Sequence, residues 1–521
     1  MADSFDLIVI GSGFGGAISA ARLAAKGYRV LVLERGRRWT PETFPRRPND
    51  AWLWDHRNPA TCHGWFDFRV FPGMSVVQGA GVGGGSLVYA NISVDAKPDT
   101  FDRGWPAEIT FSELEPYYQA VGAMMNVQKV PANQWPERTK LMKEAAEKSH
   151  YGDRFRQLDL AVSFDPAWTY EQADPYAWSH SKPFVNAQGQ QQGTCVHLGE
   201  CDIGCPVKAR NTLDLNYIPF AERHHAEVRA LHLVRNIVPE SDGYRVHFDE
   251  IGGGALKPGS VTGRIVILAA GSMGSTELLL QCRDVHRSLP HLSPFLGRNW
   301  SSNGDFLTPA LHPFRHINPT RGPTITSAID LLDGTVEGQG VFIEDGGLPD
   351  LALGFIRDLA AEGAVNPRAK MLVESLRVMV RLNAFAQVMP WFAQARDAAD
   401  GRLSLKAGSL HLDWDIEGSV KAIEAVIRTH EKLARSTGGM PLVPITWTLA
   451  KELITPHPLG GANMGATADN GVVDHKGEVF GYRNLYVADG AIVPEAIGLN
   501  PSKTIGALAE RIAALIAAEG R

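Results

Sequence analysis

The chain has 521 residues, 44% of them hydrophobic and 21% charged, which excludes a disordered, fibrous or miniature protein and suffices for two or three domain-sized cores. Fifty-one Lys and Arg against 57 Asp and Glu leave a formal charge of −6, and no long basic run offsets it, so nucleic acid is not an expected partner. Glycine is the outlier: its 53 residues are gathered in clusters, the pattern of backbone pressed closely against something.

The five cysteines, Cys62, Cys195, Cys201, Cys205 and Cys282, are odd in number with three crowded together, which is not a disulfide framework and suggests a reducing compartment. Acidic Asp3 and Asp6 stand where an export signal carries positive charge. No uncharged run reaches the roughly 18 apolar residues of a spanning helix. The best candidate, 382–395, is interrupted by Pro390. A cytoplasmic protein is expected, in at most peripheral contact with a membrane.

In chain order, Leu7-Ile8-Val9-Ile10 is a short apolar run suited to a parallel strand buried on both faces. It enters Gly11-Ser12-Gly13-Phe14-Gly15-Gly16, a G-x-G-x-x-G pattern, then a small-residue helix stopped by Gly27. Tyr28 to Leu33 returns as a second strand ending at Glu34, 23 positions beyond Gly11, where a carboxylate can bond a ribose. Strand, glycines, helix, strand and acid in that order predict a dinucleotide site with the pyrophosphate on the helix N-terminus. FAD and NAD are not separated by this motif.

The segment 39–65 is crowded with Trp, Pro and Arg and reads as a loop or lid near an entrance. From Gly79 to Ser86, five of eight residues are glycine, a density that suits a loop wrapping a flat or charged ligand. Cys195, Cys201 and Cys205, followed by Pro206, are compatible with an iron–sulfur cluster, with zinc if His197 is a fourth ligand, with reduced buried thiols, or with one disulfide and a free thiol. A buried strand at 264–268 enters a small-residue turn, Ala269 to Ser272, with a helix from about Ser275. Within 369–399, apolar residues at helical spacing, among them Met371, Leu376, Phe385, Met389 and Trp391, predict an amphipathic helix pair, serving as core or as a lid or membrane contact. His457-Pro458-Leu459-Gly460-Gly461 and a segment from Asn484 to Lys503 precede a closing helix over about 504–518.

GSGFGG with Glu34, GAGVGGGSLV, LAAGSMGSTELL, HPLGG and NLYVADGAIVPEAIGLNPSKT together resemble the glucose–methanol–choline (GMC) family of FAD oxidoreductases, specifically its cholesterol-oxidase-like bacterial branch. The likeness runs end to end, strongest in the cofactor segments and weakest over 100–190 and 305–440. It implies an α/β protein, α+β overall, with a Rossmann-like FAD-binding domain assembled from 1–40, 75–95, 205–300 and 455–521. A discontinuous β-sheet substrate domain would take 41–74, 96–204 and 301–454.

The resemblance further implies non-covalent FAD, since Tyr89, Ala90 and Asn91 offer no histidine for attachment. Gly11, Gly13, Phe14, Gly15 and Gly16 would meet the pyrophosphate, Glu34 the ribose, and Val234 the adenine through its backbone. Gly79, Gly83, Gly85, Ala90, Asn91 and Ile92, with Ala270 and Gly271, would line the cofactor, Asp489 and Gly490 would form a second contact segment, and Asn500 and Ser502 would lie beside the isoalloxazine. His457 would take the hydroxyl proton of an alcohol, a task imidazole suits, with Asn500 paired across the substrate oxygen. Glu344 falls where cholesterol oxidases carry a second acid/base glutamate, although the polar Asp345-Gly346-Gly347 that follows equally suits a solvated loop.

The expected activity is oxidation of a bulky hydrophobic, steroid-like alcohol, with oxygen or an unidentified acceptor taking the electrons. The rivals are a primary-alcohol, aldehyde or sugar dehydrogenase of the same family and a non-enzymatic redox-sensing flavoprotein.

Overall fold

The computed structural model describes residues 4–47, 49–350 and 384–520. Its first unit is the predicted one: strand β1 (Ser4–Ile10), helix α1 (Phe14–Ala24) and strand β2 (Val30–Leu33). β1 runs parallel to β2 and to Ala255–Leu268, with Leu7 opposite both Val30 and Ile265. Leu7, Ile8 and Val9 are wholly buried, as a strand covered on both faces requires.

This sheet has seven strands. His232–Glu240, Gly243–Gly252 and the first part of Ala255–Leu268 form an antiparallel meander on one side of β1, β2 and Glu227–Arg229 lie on the other, and Leu485–Val487 joins Ala255–Leu268 in parallel. The closing helix, Ser502–Ala518, packs on α1 and is tied to it by a two-bond ion pair, Arg22 donating to both Glu510 oxygens at 2.6 and 2.7 Å. Tyr217 donates to the same carboxylate at 2.7 Å.

A second, antiparallel sheet of six strands runs in the order Met440–Pro441, Phe306–Leu311, Val388–Ala395, Gln339–Asp345, Ser327–Val336, Phe155–Gln157. Helices Glu137–Lys148 and Val420–Ser436 pack against it. Here the structure corrects the expected helix pair in 369–399. Val388–Ala395 is a central strand, with Met389 opposite Ala310 and Trp391 opposite Asp345. Its apolar residues are continuous because both faces are covered, and a short continuous run carries no period that separates helix from strand. Phe385 lies in the single turn Ala384–Gln387 before it, while Met371 and Leu376 lie outside the described residues.

Segment 39–65 is a loop apart from Leu53–Trp54, as expected, and within it Trp39 and Trp65 form a small core of their own with Leu87, Trp39 donating to the Ala80 carbonyl at 2.9 Å. Phe66–Phe71 pairs antiparallel with Met74–Gly79. Among the described residues, no helix is long and apolar enough to cross a membrane.

Candidate active site

Between the two sheets lies a cavity of about 1270 Å³. One end is built from the first βαβ unit. Gly11 has φ +98°, and a Cβ there would stand 2.3 Å from the Ala269 carbonyl oxygen, while one on Gly15 would stand 2.1 Å from that of Ala488. Only glycine lets the three strand ends converge this closely on one helix N-terminus. The N-cap, Gly13, supplies no side-chain acceptor and the first turn holds no acid, so the leading N–H groups remain free to meet an anion.

The second glycine loop lies against the first. Ser12, which the sequence reading passed over, links them: its hydroxyl donates to Glu34 Oε2 at 2.7 Å and accepts from the Gly83 N–H at 3.1 Å. Glu34 also accepts from Ser12 N and Gly36 N, at 3.0 and 2.8 Å. Arg210, another residue without a sequence signal, braces the end of the loop, donating to the carbonyls of Ser86 and Leu87 and to Asn91 Oδ1. Asp489 accepts from Gly271 N, Ser275 Oγ and Ala491 N, holding two turns together at the cavity wall.

Gly11, Gly13, Phe14, Gly15, Glu34, Gly79, Gly85, Ala90, Ile92, Val234, Ala270, Gly271, Asp489, Gly490, Asn500 and Ser502 all line the cavity. Three expected contacts do not. Gly16 faces away, where a Cβ would meet the Gly11 carbonyl oxygen at 2.0 Å, so its task is helix-on-strand packing. Gly83 turns the loop at φ +109°, and Asn91 is buried with its carbonyl on Arg210.

At the other end, the six-stranded sheet contributes Phe306, Leu307 and Phe392, and three separate segments bring His457, Asn500 and Asp305 to the wall. His457 Nδ1 lies 2.8 Å from Asp305 Oδ1, and the imidazole is partly open to the cavity while Asp305 is sealed. Burial alone would push the imidazole down, but the charge and hydrogen bond of Asp305, with Glu344 behind, hold it above its ordinary value. Asn500 is buried, and its Oδ1 accepts no hydrogen bond. Glu344 is no solvated loop residue: it is a fully buried member of strand Gln339–Asp345, accepting from Gln394 Nε2 at 2.9 Å. Burial raises its carboxyl to about 8, against the opposing pull of Gln394, His457 and Asn500.

Of the readings left open for Cys195, Cys201 and Cys205, the structure shows reduced thiols and no disulfide. All five cysteines are free thiols, and among the described residues no three Cys, His, Asp or Glu side chains converge on a point that suits a metal. His197 turns away, bonded at Nδ1 to Tyr170 OH and at Nε2 to Gln134 Oε1, and stacked on Trp168. Burial raises the thiols of Cys195, Cys201 and Cys205 above their ordinary value.

A βαβ dinucleotide end, a proton-accepting end and one cavity joining them define a cofactor-dependent oxidoreductase. The pattern described as NAD(P)-binding Rossmann-like domain matches residues 9–65, and that described as GMC oxidoreductase matches 397–509. A cholesterol oxidase from Mycobacterium tuberculosis is 31% identical, covering 99% of this chain and 91% of its own, and one from Acinetobacter baumannii is 29% identical over 99% and 95%. A long-chain-alcohol oxidase from Arabidopsis thaliana is 22% identical over 98% of this chain and 66% of its own. Among solved structures, pyridoxine 4-oxidase from Mesorbium loti superposes with TM-score 0.63 at 18% identity over 98% of both chains, a likeness of fold. The chain belongs to the GMC oxidoreductase family, in its cholesterol-oxidase-like branch. It is an FAD-dependent enzyme of alcohol oxidation.

Proposed function

We propose that this enzyme oxidises the hydroxyl of a bulky hydrophobic alcohol of the sterol class to a carbonyl, with molecular oxygen as the final electron acceptor. The observation that carries this is one cavity joining the glycine-lined end to His457 and Asn500 through a wall of Phe306, Leu307, Pro309, Ile325 and Phe392. Apolar walls favour an apolar alcohol. The relatives named as cholesterol and long-chain-alcohol oxidases support both the substrate class and the acceptor.

The residues fit non-covalent FAD: the free N–H groups after Gly13 for the pyrophosphate, Glu34 for the ribose, the Val234 backbone for the adenine, and Ala90, Ile92, Asn500 and Ser502 along the flavin. Bound there, FAD supplies a two-electron acceptor for the hydride of the carbinol carbon. The protein does the rest. His457, held at Nδ1 by Asp305, presents Nε2 to take the hydroxyl proton as the carbonyl forms. Asn500 lines the same wall, and its carboxamide N–H is suited to donate to the substrate oxygen, whose single proton goes to His457. Glu344, protonated at neutral pH, can pass a proton beside them. The strands that surround the glycine loops would form the FAD-binding domain and the six-stranded sheet the substrate domain.

The test is a panel of sterols, linear primary alcohols and sugars offered to the purified yellow protein in air, with carbonyl product and hydrogen peroxide measured together. Sterols oxidised at higher kcat/KM than the other classes, with one peroxide per carbonyl, is the expected result. Preference for sugars, or carbonyl formed only when an artificial electron carrier is added, would overturn the substrate or the acceptor respectively.

A further inference from the structure

Asp305 carries no sequence signal, yet it is among the most fully enclosed charges in the protein. Its side chain is sealed from solvent, Oδ1 lies 2.8 Å from His457 Nδ1, and Oδ2 accepts from Thr455 Oγ1 at 2.6 Å. Thr455 Oγ1 in turn accepts from the His457 N–H at 2.9 Å, so backbone and ring of the histidine are held by the same pair. A buried carboxylate is retained at such a position only where partners offset its desolvation.

The turn that carries Asp305 reaches further. Asn303, at φ +58°, donates from Nδ2 to the Leu499 carbonyl at 2.9 Å and accepts from Gly498 N at 2.8 Å. Asn500 follows directly. One tight turn therefore sets both the orientation of the imidazole and the position of Asn500 on the same cavity wall.

We infer that Asp305, seated by Thr455, is a positioning residue for the reaction: it fixes the Nδ1–H form of His457, leaves Nε2 as the proton acceptor, and supplies the counter-charge to the imidazolium that forms. This rests on His457 being the base of the proposed function. The proton balance is closed: the hydroxyl proton moves to Nε2, the Nδ1 proton stays where it is, and Asp305 remains ionised throughout. The groups facing His457 are few. Asp305 comes from the turn before Phe306–Leu311 and Glu344 from Gln339–Asp345, while Phe392 and Asn500 are uncharged, and no Lys or Arg acts on the ring among the described residues.

The experiment compares holoenzymes of the natural chain, Asp305→Asn, Thr455→Val and His457→Ala. It reads the pH profile of kcat/KM on the alcohol the natural enzyme oxidises best, FAD content from the flavin spectrum, and the titration of the His457 imidazole by NMR, assigned by its loss in His457→Ala. Asp305→Asn is expected to keep FAD, to lose about 10²-fold in kcat/KM, and to move the acid limb of the profile and the imidazole titration to lower pH. Thr455→Val should move both in the same direction by less, and it decides the matter if Asp305→Asn fails to fold. Unmoved acid limb and imidazole titration in whichever of these variants folds, with His457→Ala inactive, would overturn the inference alone. Full activity in His457→Ala would overturn the proposed function beneath it.

Discussion

Glu344 changes character between sequence and structure more than any other residue. Beside Asp345-Gly346-Gly347 it could be a wetted loop residue, and a polar continuation cannot reveal that the strand carrying it lies between two others. Its burial has a consequence for stability. A carboxyl at about 8 in the folded chain, against 4.5 ordinarily, makes the folded state hold an extra proton between those values. That contribution is full below pH 4.5 and is lost as pH rises through 8. Glu344→Gln should therefore flatten the fall in Tm between pH 5 and 8, measured by calorimetry. Parallel profiles for the two proteins would contradict the buried, protonated state. His457 and Asn500 were legible from the motifs around them, but Asp305 was not, because one acid in a turn looks like any other until its partner arrives from 152 residues away.

At the scale of elements, the glycine loops separate two kinds of glycine. Gly15 is needed by the protein itself, since its Cβ would collide with the Ala488 carbonyl oxygen; Gly15→Ala should lower the Tm even of the FAD-free chain. Gly85 is different: no protein atom lies within 4 Å of where its Cβ would stand, and it lines the cavity. Gly85→Ala should leave the apoprotein Tm unchanged yet weaken FAD binding, read by fluorescence titration. Equal effects of both substitutions on the apoprotein would show that the second loop packs on protein rather than cofactor. The βαβ unit was legible because glycines, periodicity and the terminal acid agree at every level. The strand Val388–Ala395 was not, because its identity is decided by partners at 306–311 and 339–345. Ser12 and Arg210 were missed for the same reason: nothing local marks a serine or arginine whose task is to tie distant loops.

For the whole molecule, the cavity is the space in which chain segments 450–490 residues apart meet, and a ligand filling it binds the folded state alone. FAD at 100 times its Kd should then stabilise the protein by about 2.7 kcal/mol, visible as a concentration-dependent rise in Tm. A Tm independent of added FAD in the apoprotein would show that the folded chain does not bind it. The layout of two sheets around one cavity followed from the resemblance rather than from periodicity, since the second sheet is assembled from five stretches with no shared motif.

The central claim, that His457 takes the hydroxyl proton of a sterol-class alcohol while FAD takes its hydride, is tested most directly by anaerobic stopped-flow mixing of the holoenzyme with a sterol. The flavin band should bleach in a single turnover and return on admitting air, and His457→Ala should bleach some 10²–10⁴ times more slowly with its FAD still bound. A flavin that no sterol bleaches, or one that His457→Ala bleaches at the natural rate, would contradict it.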